Sequence, residues 1–172
     1  WYENDGAENP SFAAADIANN QGGANSVFAA DMDNDGDMDI VSASYNDDKI
    51  TLYENDGASN PSWTAITIAT TADGASSVSV ADMDNDGDMD IVSAAINDNL
   101  ISWHENDGLV DPSFTTANIA TNVDANEVFV ADMDNDGDMD IVAALWNSNT
   151  IAWYENDGAA NPSFTATDIV TN

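Results

Sequence analysis

Ala30-Asp31-Met32-Asp33-Asn34-Asp35-Gly36-Asp37-Met38-Asp39-Ile40-Val41 is a phrase the chain uses three times, starting at Ala30, Ala81 and Ala131, so its copies lie 51 and 50 residues apart. A fixed period of that length marks one supersecondary unit stacked on copies of itself, and it decides the architecture before any single residue does. Two further phrases keep the same period. Tyr or His followed by Glu-Asn-Asp-Gly recurs at residues 2–6, 53–57, 104–108 and 154–158, preceded by Trp1, Leu52, Trp103 and Trp153. Pro-Ser-aromatic follows at Pro10, Pro61, Pro112 and Pro162.

Each period reads as four short strands, because apolar and β-branched runs are separated by Asn, Asp and Gly, the residues that tolerate turn backbones. In the last copy the strands are expected at Glu127–Ala131, Asp140–Trp146, Thr150–Glu155 and Ser163–Val170. No stretch has helical period. The run Ile141-Val142-Ala143-Ala144-Leu145 is apolar at every position, which predicts a strand buried on both faces between neighbouring sheets. Trp103 and Trp153 alternate in phase with Ile101 and Ile151 and are expected in the core. A unit of four antiparallel strands covered on both faces predicts an all-β fold of β-propeller blades, about three and a half repeats long; a stacked β solenoid is the weaker alternative. The phasing gives a half blade of third and fourth strands at residues 1–20, then blades at 21–71, 72–121 and 122–172, together one propeller domain or part of one. The segment is expected to be a mature chain or a fragment.

The Asp phrase carries the chemistry. Asp31, Asp33, Asp35 and Asp39 fall at positions one, three, five and nine of a loop, with Gly36 at six and the carbonyl of Asp37 at seven. Alternate carboxylates on a tightly curled loop point inward at a hard cation, and calcium takes six to eight such oxygens in flexible geometry. The equivalent sets are Asp82, Asp84, Asp86, Asp88 and Asp90, and Asp132, Asp134, Asp136, Asp138 and Asp140. A single Asp-Gly turn would read as a solvated acidic turn. Three identical nonapeptides, each with five mutually repelling carboxylates, read as metal loops binding one Ca2+ apiece, about three per chain. An EF-hand begins with the same spacing but requires a bidentate Glu at position twelve, where Ser42, Ser93 and Ala143 stand, and helices where Val128-Phe129-Val130 and Ile141-Val142 read as strands.

On these residues the whole chain resembles the FG-GAP and VCBS-type propeller repeats, the family that includes the calcium-binding blades of integrin α subunits. In that family an Asp-x-Asp-x-Asp-Gly-x-x-Asp loop joins the first and second strands of a blade. The resemblance implies calcium ligands at Asp31, Asp33, Asp35, Asp37 (through its carbonyl) and Asp39, and at the matching residues of the other two loops. Neither the Phe-Gly nor the Gly-Ala-Pro phrase that names the family occurs, which places the chain nearer the looser bacterial VCBS form.

Composition bounds the partners. Against 33 Asp and Glu stands a single Lys49 and no Arg, a formal charge of −32, so nucleic acid and anionic lipid repel the molecule. Fifteen of the 33 acids lie in the three Asp loops, leaving 18 elsewhere, so about half the acidity is local. The chain has no cysteine, and a secreted chain without disulfides needs another clamp, for which a metal is the obvious candidate. The longest apolar run, Ile141–Trp146, is too short to insert in a membrane.

Other residues carry blander readings. His104, the only histidine, takes the place of Tyr2, Tyr53 and Tyr154 and reads as a substituted strand residue, so no catalysis is expected. Among Trp1, Trp63, Trp103, Trp146 and Trp153, Trp146 at a strand end is the one placed to stack on a sugar. Glu54-Asn55-Asp56-Gly57 and its three siblings offer further candidate metal sites but read more readily as hairpin turns, and Lys49 carries no special role. The expected function is a calcium-rigidified, extracellular structural or adhesive repeat, with a surface filament as one form of assembly. The alternatives are a lectin-like glycan-binding propeller and an accessory domain of a secreted enzyme. Its partners are expected to be other copies of itself or further repeats, with glycans or surface proteins as alternatives. Closed propellers use about four to eight blades, so three and a half should not close alone.

Overall fold

The computed structural model describes residues 1–170, which form fourteen antiparallel strands with no helix among them. Strands β1 (Tyr2–Asn4) and β2 (Phe12–Ala14) pair as a two-stranded sheet, the half blade. Blade one is β3 (Ala24–Ala30), β4 (Asp39–Ser44), β5 (Lys49–Asn55) and β6 (Trp63–Ala69), in sequential order. Blade two is β7 (Ala75–Ala81), β8 (Asp90–Ala95), β9 (Leu100–Asn106) and β10 (Phe114–Thr121), and blade three is β11 (Ala125–Ala131), β12 (Asp140–Leu145), β13 (Thr150–Asn156) and β14 (Phe164–Val170). Turn chemistry sets the sequential pairing. The β4–β5, β8–β9 and β12–β13 hairpins close through Asp48, Asn99 and Asn149, each with positive φ, which Asp and Asn tolerate better than other non-glycine residues.

The blades stack face on face. One core lies between blades one and two, where Val41, Ala43, Ile50 and Leu52 meet Val78, Val80 and Ile91. The next lies between blades two and three, where Val92, Ala94, Ile101 and Trp103 meet Val128, Ile141, Ala143 and Tyr154. In blade two, β7, β8 and β9 therefore turn one side-chain parity to blade one and the other to blade three. In blade two β8 is buried from end to end. The expectation that Ile141–Leu145 is buried on both faces fails at the outer face of blade three. There Val142, Ala144, Leu145 and Trp153 are only half-buried, and Ile151 and Phe129 are exposed, the latter by 61%, because among the described residues no sheet covers that side.

Polar ladders run beside these cores. The first strand of each blade carries a β-bulge, at Asn25, Ser76 and Asn126, where one residue drops out of the pairing register. The freed side chains reach sideways: Asn25 donates to the Ser76 carbonyl at 2.9 Å and Ser76 to the Ala125 carbonyl at 3.3 Å. Beside them, the Val128 and Val130 amides donate to the hydroxyls of Ser77 and Ser79, both at 3.2 Å.

Candidate metal centre

Each Asp loop follows the last residue of a blade's first strand and ends on the first residue of its second: 31–39 between β3 and β4, 82–90 between β7 and β8, 132–140 between β11 and β12. Two left-handed residues curl it. Asn34, Asn85 and Asn135 have φ of 59°, 61° and 65°, and Gly36, Gly87 and Gly137 have φ of 97°, 100° and 102°, the second set being accessible only to glycine without strain. The curl turns backbone amides onto the carboxylates. Asp35 and Gly36 donate to the two oxygens of Asp31 at 3.1 and 3.0 Å, and Asp37 donates to Asp35 at 2.9 Å. The second loop repeats this with Asp86 and Gly87 on Asp82 at 3.1 and 3.0 Å and Asp88 on Asp86 at 2.9 Å.

The last Asp of each loop is buried and anchors it. Asp90 accepts from the Met83 amide at 3.1 Å and the Asn106 amide at 2.8 Å, and Asp140 accepts likewise from Met133 and Asn156 at 3.1 and 2.8 Å. Asp39 accepts from Met32 and Asn55 at 2.8 and 2.9 Å. Burial pushes the Asp90 carboxyl up to about 7, against the pull of its two backbone hydrogen bonds, and raises Asp39 for the same reason. Asp33 and Asp84 are also raised, first by burial and then by the charges of neighbouring Asp residues.

Carboxylate oxygens converge in all three loops. Asp31, Asp33 and Asp39 each place one oxygen within 4.8 Å of the others, as do Asp82, Asp84 and Asp86, and Asp132, Asp134 and Asp136. The donor set is all oxygen, which suits calcium and not the softer metals that prefer His or Cys. The first loop thus joins positions one, three and nine, and the other two join one, three and five. Position seven turns its carboxylate elsewhere. Asp88 accepts from the Asn34 side chain of the preceding blade at 2.7 Å and Asp138 from Asn85 at 2.7 Å. Asp37, Asp88 and Asp138 also press on Gly57, Gly108 and Gly158 of their own blades, where any side chain would collide with them and where φ is about 65°.

Sequence reading gives the Glu of the Glu-Asn-Asp-Gly phrase only a secondary metal role and misses what the Met and Asn residues do. Glu54 lies inside β5 and not in the turn, and its Oε1 is buried without a hydrogen-bond partner; burial, followed by the charges of Asp33 and Asp39, raises its pKa. Glu105 adds to the repulsion on Asp84 in the same way. Met32 and Met83, at position two of their loops, are completely buried in the cores between blades. Asn106 and Asn156 donate from Nδ2 to the carbonyls of Met32 and Met83 of the preceding loops, both at 2.8 Å. The only sequence signal for these was the invariance of Met, Glu and Asn among the copies within this chain.

A stack of four-stranded antiparallel sheets, each with an Asp-rich loop between its first and second strands, defines a class of all-β repeat proteins. The family model described as FG-GAP-like repeat matches residues 1–42, 31–93 and 82–143, and the chain belongs to that family. Each matched window ends in the second strand of a blade, just past an Asp loop. No curated protein matches the chain.

Proposed function

We propose that the chain is a non-catalytic calcium-binding scaffold of the cell exterior, in which one ion per Asp loop rigidifies each blade. The observation that carries this reading is the threefold convergence of carboxylates with no cationic side chain beside them. The one lysine, Lys49, pairs with Ser44 at the far end of β4 from Asp39, roughly 17 Å away along a six-residue strand. Something else must neutralise the loops, and a divalent cation does so with the oxygens present. Loops this exposed suit the ~10⁻⁴ to 10⁻³ M affinities of extracellular calcium modules. The lone His104 supports a role without catalysis: it is buried and hydrogen-bonded to Ser93 and Thr116.

Isothermal titration of the chelated chain with calcium tests the proposal. Three sites per chain are expected, two in the Asp84→Ala variant, and a trace without binding heat at millimolar calcium sinks it. A glycan-binding reading has one observation behind it, since Trp146 is 68% exposed beside the β12–β13 turn. Glycan-array binding lost in Trp146→Ala would establish that activity, and a blank array removes it.

A further inference from the structure

The two ends of the stack are complementary halves of an interface the molecule already contains. Between blades two and three, Trp103 packs with Tyr154 and Phe164 in one cluster, and Ile119 lies across from Asn161 and Pro162 in a shallow cavity beside it. Asn156 completes this contact by donating to the Met83 carbonyl at 2.8 Å. Residues 1–12 repeat residues 153–164 with a single difference, Glu8 for Ala160. They also repeat the local geometry. Asn4 pairs with Phe12 across β1 and β2 as Asn156 pairs with Phe164 across β13 and β14, and the Gly6 amide donates to Asn4 Oδ1 at 2.9 Å as Gly158 donates to Asn156 at 3.0 Å.

Nothing among the described residues covers this copied surface: Tyr2 is 72% exposed and Phe12 59%. At the opposite end, blade three offers the seat that blade two already uses. Trp153, Ile169 and the carbonyl of Met133 are the counterparts of Trp103, Ile119 and the Met83 carbonyl, and Ile169 and Met133 are exposed.

We infer that this chain associates head to tail, the half blade of one copy seating on blade three of the next, with Tyr2, Asn4 and Phe12 against Trp153, Met133 and Ile169. A second copy is the occupant because eleven of the twelve residues that would dock are those already docked between blades two and three. The inference is independent of calcium binding. Among the described residues the half blade consists of β1 and β2 alone, so the junction covers the outer part of the face and leaves Phe129 on β11 outside it. Such a contact joins different patches on the two copies, so each added copy leaves a free half at either end and the assembly lengthens until the rotation between copies closes a ring. The −32 charge opposes it at low ionic strength, which makes roughly 0.5 M salt the proper condition.

Sedimentation of the full chain over a concentration series tests the assignment, with growth of the assembly expected by about 100 µM. Trp153→Asp and Tyr2→Asp should each weaken association by roughly a hundredfold and leave monomers. Mixed together, these two variants retain one intact half each and should form a one-to-one dimer that grows no further. Ile169→Asp and Phe12→Asp, both at exposed strand positions, provide the same pair should the first variants misfold by circular dichroism. Phe129→Asp should associate like the parent chain. A parent chain that stays monomeric, a mixture that stays monomeric, or assembly abolished by Phe129→Asp would each overturn the inference.

Discussion

His104 shows how a single exchange is absorbed within a repeat. At the equivalent positions Tyr53 faces the Ser42 and Ala65 columns and Tyr154 the Ala143 and Ala166 columns, whereas His104 has Ser93 and Thr116. Its Nε2 lies 2.9 Å from Ser93 Oγ and its Nδ1 2.8 Å from Thr116 Oγ1, so one ring nitrogen donates and the other accepts. Burial lowers its pKa from 6.5 to about 4, so the neutral ring is the folded form. The unfolded chain therefore binds the proton more tightly. The neutral ring's contribution is fully present above pH 6.5 and is lost as pH falls toward 4, by up to roughly 3 kcal/mol. Combining His104→Tyr with Thr116→Ala rebuilds the Ser-Tyr-Ala set of blade one and should remove that loss. Because carboxylates titrate in the same range, the measurement is the difference in denaturant midpoint between parent and variant at pH 7 and pH 4.5. Equal differences at the two pH values would refute the assignment. Sequence position alone identified His104 as a replaced strand residue, but its hydroxyl partners lie 11 and 12 residues away on two other strands and become visible only once the register is known.

The Asp loop was legible as an element because its chemistry is local: position, glycine and carboxylates lie within nine residues of one another. Strands were legible for the same reason, the second strand of blade three being expected at Asp140–Trp146 and found at Asp140–Leu145. What stayed hidden lies between elements. Met83 stands among loop carboxylates in the sequence, yet it is fully buried in the cluster with Trp103, Ile141 and Tyr154, while the identical Met133 is 46% exposed because no further sheet among the described residues covers it. The contact joins residues dozens of positions apart, as with the 73 separating Asn156 from Met83, and no periodic pattern encodes it. Identical residues in identical loops should then differ in energetic weight. Met83→Ala should cost roughly 2–5 kcal/mol through lost burial and the cavity left behind. Met133→Ala should stay within about 0.5 kcal/mol in the isolated monomer. Chemical denaturation of the two variants under monomeric conditions makes the comparison, and equal losses would show that the interblade plug carries no weight.

At the scale of the whole molecule the charge of −32 sets the terms on which the stack holds together. With Lys49 alone on the positive side, no arrangement of side chains cancels the repulsion between 33 acids, and the three Asp loops place their share in adjacent blades, linked through Asn34 to Asp88 and Asn85 to Asp138. Screening is one remedy and acts at a Debye length of about 8 Å at 0.15 M salt and about 3 Å at 1 M. Bound divalent ions would be another, acting at the place of greatest density: three of them would carry +6, taking −32 to −26 and removing the repulsion inside the loops themselves. The two remedies overlap, so each should weaken the effect of the other. In chelator, the melting temperature should climb steadily with sodium chloride from 0.05 to 1 M, since the loops repel unless screened. In saturating calcium the same salt series should be much flatter and start higher, because an ion held only by the folded state adds RT ln(1 + [L]/Kd) per site, about 2.7 kcal/mol at a hundredfold excess over Kd. Magnesium at equal ionic strength separates the contributions: it supplies the charge but demands near-octahedral geometry at shorter distances, so it should reproduce little of the calcium offset. A melting temperature indifferent to salt in chelator would mean that the acidic loops are relaxed without any cation, and the case for resident metal would fall with it.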